Sequence, residues 1–387
     1  MKTTIGKAFG MVEALRAGAG ARAKHRSFLA KASGLAWLLA AAAAASGLFA
    51  TAAAAELFKL KIASGNATGI EYIDSAHDYF VPELQRRVKE RTAHSVEVTE
   101  SYGGSLLKVS EVLDGTRSGA IDLGLLCVCH EGKRLRLNNF MFLAPFSLTD
   151  PVLALQATRA VYRQVPELPG IFDTAFNQTL IALMPLEPYD LLSTFALSDP
   201  KDLQGRKVSG SGPNFPWITA LGASPVPTQG QHDHVSAKPP YDASVGFVSL
   251  ATSLKLYEKG MTHFIQTGLG SQVILTLTVN NDALRRLPPD VRAILLETAA
   301  DYERVVAERG RDRYEAHVRE VADHGMKVSA FTLEQRRSWA DMLVPWSAAE
   351  VKALDDTGAP AGRAIDLFVA AAETLGHRWP VQYRARH

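Results

Sequence analysis

Residues 95–128, SVEVTESYGGSLLKVSEVLDGTRSGAIDLGLLCV, decide the fold class of this protein. The first seven residues, SVEVTES, alternate apolar and polar side chains, which predicts a half-buried strand. After a glycine pair, apolar residues recur at helical spacing and predict a helix. The segment 120–128, AIDLGLLCV, is almost continuously apolar, as is typical of a strand buried on both faces of a parallel sheet. The stretch therefore predicts a strand, a helix and a second strand.

The same alternation continues on both sides of this stretch. Upstream, FKLKIASGN (58–66) predicts a strand and a loop, and residues 74–92 show helical spacing of apolar side chains. Downstream, residues 178–196 and 267–281 predict further strands. A proline pair then begins a long helical stretch, 288–325, that stops at a glycine. This order is typical of an α/β protein with a largely parallel sheet. Two more helical segments are predicted, at 333–344 and 361–375.

Residues 1–55 have the pattern of an export signal. Seven basic residues and one acidic residue precede SGLAWLLAAAAAASGLFATAAAA (33–55), which carries no charge. A basic segment, an apolar run and small residues before a cleavage site are typical of a secretory signal peptide. We therefore expect cleavage after Ala55 and a periplasmic protein. The alternative is a retained membrane anchor, because the run approaches the roughly 20 residues that a spanning helix needs.

The charge of the chain depends on this leader. The whole sequence has 42 basic and 40 acidic residues, and removal of residues 1–55 leaves 35 basic and 39 acidic ones. The exported part is thus slightly acidic, and nothing in it indicates nucleic-acid binding. With 387 residues and 47% apolar residues, the chain has the length and composition of a globular protein of two domains.

Catalytic and metal-binding motifs are absent from the sequence. It contains no G-x-S-x-G, no phosphate-binding Walker loop and no H-E-x-x-H, so we expect no enzyme, no cofactor and no metal. His232 and His234 lie two apart in a polar stretch, where a solvated loop is more common than a metal site. Cys127 and Cys129 end an apolar run, and a bridge along one strand face would be strained. We expect buried free thiols, although export permits oxidation to a disulfide.

The segment RKVSGSGPNFPWITALGA (206–223) favours ligand binding. A strand ends near Val208, and the following glycines let backbone amides approach a ligand closely. Asn214 and the amides at the start of the next helix are candidate donors to an anion, and Trp217 is a candidate apolar wall. The alternative is a tight strand-to-helix connection, with Asn214 as the helix cap and Trp217 in the core.

Four segments, in this order, resemble the substrate-binding proteins of tripartite ATP-independent periplasmic (TRAP) transporters. They are YGGSLLKVSEVLDGTRSGAIDLGLL (102–126), LSDPKDLQGRKV (197–208), ALGASPVP (220–227) and NNDALRRLPPDVRAILLETAADYE (280–303). The resemblance covers roughly residues 58–345. It implies a two-lobed periplasmic-binding-protein fold of type II, with a hinge and a long helix that spans both lobes.

The resemblance also implies boundaries and a function. Lobe I is expected at 56–185 plus about 270–290, lobe II at 186–269, and helices packing across both lobes at 290–387. Such a protein captures an organic acid between its lobes and delivers it to a membrane permease. The alternatives are a secreted α/β hydrolase-like enzyme and a ligand sensor that signals to a membrane kinase.

Two segments depart from the family pattern. Relatives place an arginine that clamps a substrate carboxylate where this chain has Ser209. The loop that follows, SGSGPNFPW, resembles a branch of the family, and we expect Ser209 and Asn214 to hold the anionic end of the ligand while Trp217 contacts its body. The second departure is QHDHVSAKPPYDASVGF (231–247). Weaker candidates for ligand contact are Asn66, Tyr102, Tyr189, Tyr241, Phe247 and His263.

Overall fold

The structure, a computed structural model, describes residues 55–227 and 240–383. This part of the chain contains eleven strands, which are β1 (Leu57–Ser64), β2 (Ser95–Ser101), β3 (Leu123–Cys127), β4 (Gln178–Pro188), β5 (Asp190–Ser193), β6 (Lys207–Gly210), β7 (Ser224–Pro227), β8 (Ala243–Gly246), β9 (His263–Gln266), β10 (Ser271–Asn280) and β11 (Lys327–Ala330). The histidines at positions 232 and 234 lie outside the described residues.

The same part contains eleven α-helices, which are α1 (Glu71–Ser75), α2 (Val81–Arg91), α3 (Val112–Ser118), α4 (Pro151–Gln164), α5 (Glu167–Phe176), α6 (Phe215–Thr219), α7 (Val248–Ser253), α8 (Asn281–Arg286), α9 (Pro289–Asp323), α10 (Leu333–Asp355) and α11 (Ala361–Thr374). None of these helices combines the length and the apolar composition that crossing a membrane requires.

The strands form two mixed sheets. The first has the order β2-β1-β3-β10-β4, and only β10 runs antiparallel to its neighbours β3 and β4. The second has the order β11-β9-β5-β8-β6-β7, and only β5 runs antiparallel to its neighbours β8 and β9. Each sheet is therefore parallel apart from one strand, which confirms the predicted α/β class.

Two short segments of the described chain cross directly from a strand of one sheet to a strand of the other. β4 leads into β5 through Tyr189, and β9 leads into β10 through residues 267–270. The two crossings are bonded to each other, because the Tyr189 N–H donates to the Gly270 carbonyl at 3.1 Å and the Thr267 hydroxyl donates to the Tyr189 carbonyl at 3.0 Å. Paired crossings of this kind form the hinge of a two-lobed protein.

The long helix α9 packs against both sheets. It begins at Pro289, where proline costs no hydrogen bond, and it contacts β4 of the first sheet and β11 of the second. Its apolar stripe is buried, including Val291, Leu295 and Tyr302. The sequence prediction of one long helix after the proline pair is confirmed. A single rigid element thus lies along both halves of the molecule.

The helix predicted after the glycine pair is shorter than the stretch over which apolar residues recur at helical spacing. Gly103 and Gly104 both have positive φ, so the chain turns before the helix begins. A 3₁₀ turn at Val109–Glu111 follows, and α3 starts only at Val112. Leu106, which the pattern placed on the buried face, is 50% exposed. Local turn conformation, which apolar spacing does not encode, sets this helix start.

The prediction of free thiols is wrong, because Cys127 and Cys129 form a disulfide. The argument against it assumed that both residues lie on one extended strand, with Cα atoms about 6.6 Å apart. The strand β3 ends at Cys127, and the chain continues as a 3₁₀ turn, Val128–Glu131. This turn brings the two Cα atoms to 5.1 Å, a separation that a disulfide accommodates.

Candidate ligand-binding site

The strand directions decide which candidate residues lie near one another. β1, β3 and β4 are parallel, so their carboxyl ends share one edge of the first sheet. β6, β8 and β9 are likewise parallel, and their carboxyl ends share one edge of the second sheet. The crossing segments leave and join the sheets at these two edges, so the edges meet at the hinge. Ligands of α/β proteins bind outside the carboxyl ends of strands, which locates the candidate site here.

Most of the candidates from the sequence lie at these two edges. Asn66 follows β1 and Tyr102 follows β2 at the edge of the first sheet. Tyr189 lies in a crossing segment. Asn214 follows β6 and Phe247 follows β8 at the edge of the second sheet.

Two candidates lie at the opposite edge of the second sheet. His263 is the first residue of β9 and is paired with Ser193 at the end of the antiparallel strand β5. Its Nδ1 contacts the hydroxyl of the neighbouring Thr262 at 2.9 Å, and burial together with the Lys327 charge lowers the pKa of His263. Tyr241 precedes β8 at this same edge. The structure therefore places His263 away from the candidates at the two facing edges.

Four aromatic rings form a cluster at the hinge. The Tyr189 ring lies 4.5 Å from Phe247 and 5.6 Å from Trp217, centroid to centroid, and Phe142 lies 5.5 Å from Trp217. Trp217 is fully buried, and its Nε1 donates to the Phe142 carbonyl at 3.1 Å. The Tyr189 hydroxyl is hydrogen-bonded to Ser211 of the glycine-rich loop, and burial raises the pKa of Tyr189. The cluster thus joins the crossing segment to the loop after β6.

Asn214 is fully buried beside this cluster, and both atoms of its carboxamide lack a partner among the described residues. It stands at the N-cap of α6 but forms no side-chain cap bond. A Cβ at Gly210 would lie 2.5 Å from the Asn214 Oδ1, so glycine at 210 makes room for the amide. The helix α6 has only five residues, so its dipole contributes little.

Ser209 has its hydrogen-bonding partners within the second sheet. Its hydroxyl is fully buried and donates to the Ser244 hydroxyl on β8 at 2.7 Å. The Tyr241 hydroxyl is also bonded to Ser209, and burial raises the pKa of Tyr241 to about 12. The Ser209 side chain therefore holds β6 to β8 and does not point out as a free donor.

Asn66 and Tyr102 lie in a polar group of the first lobe. The Asn66 Nδ2 donates to the Tyr72 hydroxyl at 2.7 Å, and the Ser64 hydroxyl lies 3.4 Å from the same oxygen. Tyr102 is half-buried, and its burial, assisted by the Glu100 charge, raises the pKa of its hydroxyl. The Asn66 amide group is thus already engaged with Tyr72 in this structure.

The sequence reasoning missed Gln272, which belongs to the same edge. It is the second residue of β10, beside the hinge, and it is fully buried. Both atoms of its carboxamide lack a partner among the described residues. Within that part of the chain, Asn214 and Gln272 are the two side chains that bury a whole amide without a partner, and both lie at the facing edges. A long amide side chain in a run of apolar and small hydroxyl residues, SQVILTLTVN, was the signal that could have indicated it.

Two carboxylates, also missed, flank Tyr189: Asp190 is buried and Glu187 is half-buried. Glu187 accepts hydrogen bonds from the hydroxyl and the N–H of Ser249 on α7, and burial raises the pKa of Glu187 to about 7. Asp190 accepts from the Tyr314 hydroxyl at 2.7 Å and from the Thr267 N–H at 2.8 Å, and burial raises the pKa of Asp190 to about 6. These bonds connect the crossing segments to α7 and α9.

We expect Glu187→Gln to remove part of the pH dependence of stability. The pKa of Glu187 in the folded protein, about 7, exceeds its unfolded value of about 4.3, so the folded state binds the extra proton. Stability therefore falls as pH rises from about 4.5 to about 7, by an amount on the order of 2 kcal/mol. The glutamine variant keeps the size of the side chain but cannot ionise. Urea unfolding at pH 5 and pH 8 should show a larger gain for the variant at pH 8.

The matched control for this prediction is Glu334→Gln. Glu334 is exposed in the first turn of α10, so Glu334→Gln makes the same change of side chain on the protein surface. Equal effects of Glu187→Gln at pH 5 and pH 8 would contradict the raised pKa. Asp190 titrates in the same direction, so a smaller fall in stability with pH should remain in the Glu187 variant.

One family model matches a segment in the second half of the chain. Residues 242–351 match the model of the bacterial extracellular solute-binding protein family 7, DctP. The match begins at Asp242, within the segment 231–247 that departs from the family pattern. Asp242 is a structural residue, because its carboxylate accepts from the Lys207 N–H at 2.9 Å and so joins β8 to β6.

Solved structures of other proteins have the same fold over most of this chain. A TRAP periplasmic solute-binding protein from Desulfovibrio salexigens is 15% identical and superposes with a TM-score of 0.72 over 82% of this chain and 96% of the other. One from Rhodoferax ferrireducens, in complex with copurified benzoate, is 17% identical, with a TM-score of 0.69 over 82% and 98%. An extracytoplasmic solute receptor from Bordetella pertussis that binds pyroglutamic acid is 16% identical, with a TM-score of 0.65 over 80% and 99%.

At identities of 15–17%, these likenesses establish the fold of the chain. The family match adds a signature in the sequence that covers β8, β9, β10, β11, α9 and most of α10. Together they confirm the resemblance found in the sequence: residues 242–351 carry the DctP signature, and the chain has the two-lobed fold of the solute-binding proteins of TRAP transporters.

Proposed function

We propose that this protein is the extracytoplasmic solute-binding subunit of a TRAP transporter. It captures a small organic acid in the cleft between its lobes and delivers the acid to membrane permease subunits, without catalysis. Lobe I comprises 56–185 and about 270–290, lobe II comprises 186–269, and the helices of 290–387 pack across both. The two sheets, the paired crossings and the long helix α9 support this division, with β11 (Lys327–Ala330) added to lobe II because it is an edge strand of the second sheet. Export to the periplasm through residues 1–55 belongs to the same proposal.

The observation that carries the proposal is the buried amide of Asn214. A buried polar group without a partner costs about 1–3 kcal/mol, so such groups call for a functional explanation. A carboxamide offers one acceptor and two donor hydrogens. Asn214 therefore suits a ligand that presents a carboxylate oxygen to Nδ2 and a hydroxyl or N–H to Oδ1. Gln272 offers the same pair of groups from the other edge.

The aromatic cluster supports a flat or branched body for the ligand. Tyr189, Trp217 and Phe247 lie next to the loop that carries Asn214, and aromatic faces pack well against small rings. Two of the compared proteins bind benzoate and pyroglutamic acid, each a small ring with one acid group. We propose the same class, a small ring-containing or branched monocarboxylic acid, for this chain. Ser209 acts by positioning β6, and loop amides take over part of the role of the missing guanidinium.

The test uses residues 56–387 and an acid identified by thermal-shift screening or by mass spectrometry of copurified ligand. Asn214→Ala should weaken binding by about 10- to 100-fold, the usual effect of losing hydrogen bonds to a charged group. Calorimetric titration measures this change. Gln272→Ala should also weaken binding. Binding that is unchanged in both variants would show that the acid lies elsewhere.

Asn138→Ala is the matched control, because Asn138 is a buried asparagine away from the hinge. Its Nδ2 donates to the Tyr162 hydroxyl at 3.0 Å and to the Leu168 carbonyl at 2.8 Å. Its replacement should lower the free energy of unfolding and leave affinity unchanged. Asn214→Ala should instead weaken binding without lowering the free energy of unfolding of the ligand-free protein. In that state it removes an amide that has no hydrogen-bonding partner to lose.

A further inference from the structure

A polar cavity lies beside the hinge, and none of the four clustered aromatic rings lines it. It has a volume of about 90 Å³, which is room for a group a few water molecules in size. Four parts of the chain line it: the loop before α4, the crossing segment at Gly268, the first turn of α10, and the residues after α11. The cavity thus touches the first lobe, the hinge and the C-terminal helices at once.

The cavity is positively charged. Arg336 and Arg378 line it, and no acidic side chain does. Neither arginine forms an ion pair with any residue in the described ranges 55–227 and 240–383. His377 also lines the cavity, with its Nε2 2.9 Å from the Phe146 carbonyl, and burial lowers the pKa of His377. The half-buried Arg336 and the exposed Arg378 therefore bring two unneutralised guanidinium groups to one cavity.

Donor atoms in this cavity are left without partners. Ser147 is 1% exposed, and its hydroxyl makes no hydrogen bond to any described residue. The Nε of Arg336 is likewise buried and unpaired within that part of the chain. Buried polar groups are almost always paired in folded proteins, so two such groups in one cavity indicate a missing partner.

The backbone around the cavity also favours a partner that is negatively charged and accepts hydrogen bonds. A Cβ at Gly268 would lie 2.8 Å from the Arg336 Cζ, so the guanidinium rests directly on the hinge backbone. Gly268 also has a φ of +77°, which further restricts this position to glycine. Leu333, the first residue of the 23-residue helix α10, lines the cavity and places the positive end of the helix dipole there.

We propose that this cavity is a binding site for a small inorganic oxyanion of the size of phosphate or sulfate. Arg336 and Arg378 supply the charge, and the Ser147 hydroxyl and the Arg336 Nε donate hydrogen bonds. Guanidinium groups match the geometry of such anions, because they present parallel N–H donors. The site is separate from the proposed organic-acid site and does not depend on it. A bound anion ties the first lobe to the crossing segment and to α10.

The probe for this site is inorganic phosphate. Unfolding temperature is measured for residues 56–387 in increasing phosphate, against chloride at the same ionic strength, and affinity is measured by calorimetry. We expect saturable stabilisation by phosphate beyond that by chloride, because an anion that binds only the folded state raises its stability. Arg336→Gln and Arg378→Gln should each weaken phosphate binding at least tenfold.

Arg363→Gln is the matched control, because it removes the same charge from an exposed position on α11. It should leave phosphate binding unchanged, as should Asn214→Ala. Ser147→Ala, a small change, should weaken binding with little effect on folding. The proposal is overturned if phosphate and chloride act alike on the parent protein, or if phosphate binds equally to the parent and to both arginine variants.

Discussion

Replacing Trp217 with alanine is expected to lower the free energy of unfolding by about 3–5 kcal/mol, the usual cost of truncating a buried tryptophan. The side chain is fully buried, and its ring lies 5.5 Å from Phe142 and 5.6 Å from Tyr189. Its Nε1 also donates to the Phe142 carbonyl, which the variant leaves without that donor. Urea unfolding of residues 56–387 at pH 7.5 measures the loss.

Trp379→Ala is the control for this prediction. Trp379 lies near the C-terminus, is only half-buried, and makes edge-to-face contacts with Phe368 and Tyr383. Its truncation should cost less than half as much as that of Trp217. Equal losses in the two variants would show that the hinge cluster contributes no more than an ordinary surface aromatic. Trp217→Phe should recover most of the stability, because it keeps a ring beside Tyr189.

Replacing Arg159 with methionine is expected to lower the free energy of unfolding by about 3 kcal/mol. Arg159 on α4 forms an ion pair with Glu303 on α9, whose side chain is only 8% exposed. The Arg159 Nε donates to the Glu303 Oε2 at 2.9 Å, and the N–H of Leu183 on β4 donates to the other carboxylate oxygen. Without the arginine, a buried carboxylate keeps one backbone donor and no counter-charge. Urea unfolding measures the loss.

Arg163→Met provides the comparison. Arg163 lies one helical turn after Arg159 on α4, and both residues line a cavity of about 320 Å³ between α4 and α9. It is exposed and forms no ion pair with a described residue, so its loss should cost less than about 0.5 kcal/mol. Adding Glu303→Gln to Arg159→Met should restore stability, since the remaining amide carries no charge. A double variant no more stable than Arg159→Met would contradict the proposed cause.

Local sequence predicted the residues of the glycine-rich loop and left their roles open. Trp217 is both a core residue and part of the hinge cluster, so the two interpretations of its role are compatible in one fold. Asn214 does not cap its helix through its side chain, and its free amide is visible only once the surrounding chain is in place. Ser209 is bonded to Ser244, 35 residues away, which no local pattern could indicate.

For the charged residues too, local sequence indicates the positions, and only the tertiary structure decides their surroundings. Glu187 and Asp190 flank Tyr189 in LEPYD, where they look like ordinary surface acids. Asp190 is buried and Glu187 is half-buried because α7 and α9 cover the crossing segments, and their raised pKa values follow from that burial. Arg336 and Arg378 are 42 positions apart and meet only because α10 and the segment after α11 pack on the hinge.

The sequence by itself determined the alternation of strands and helices, the long helix after the proline pair and the family resemblance, because apolar periodicity and short motifs are properties of neighbouring residues. The tertiary structure alone decided which strand ends meet, and so placed Asn214 and Gln272 at facing edges and His263 at the opposite one. It also decided the Cys127–Cys129 disulfide, through the point at which β3 ends. These outcomes depend on strand order and chain turns, which bring together residues that the sequence keeps apart or orients differently.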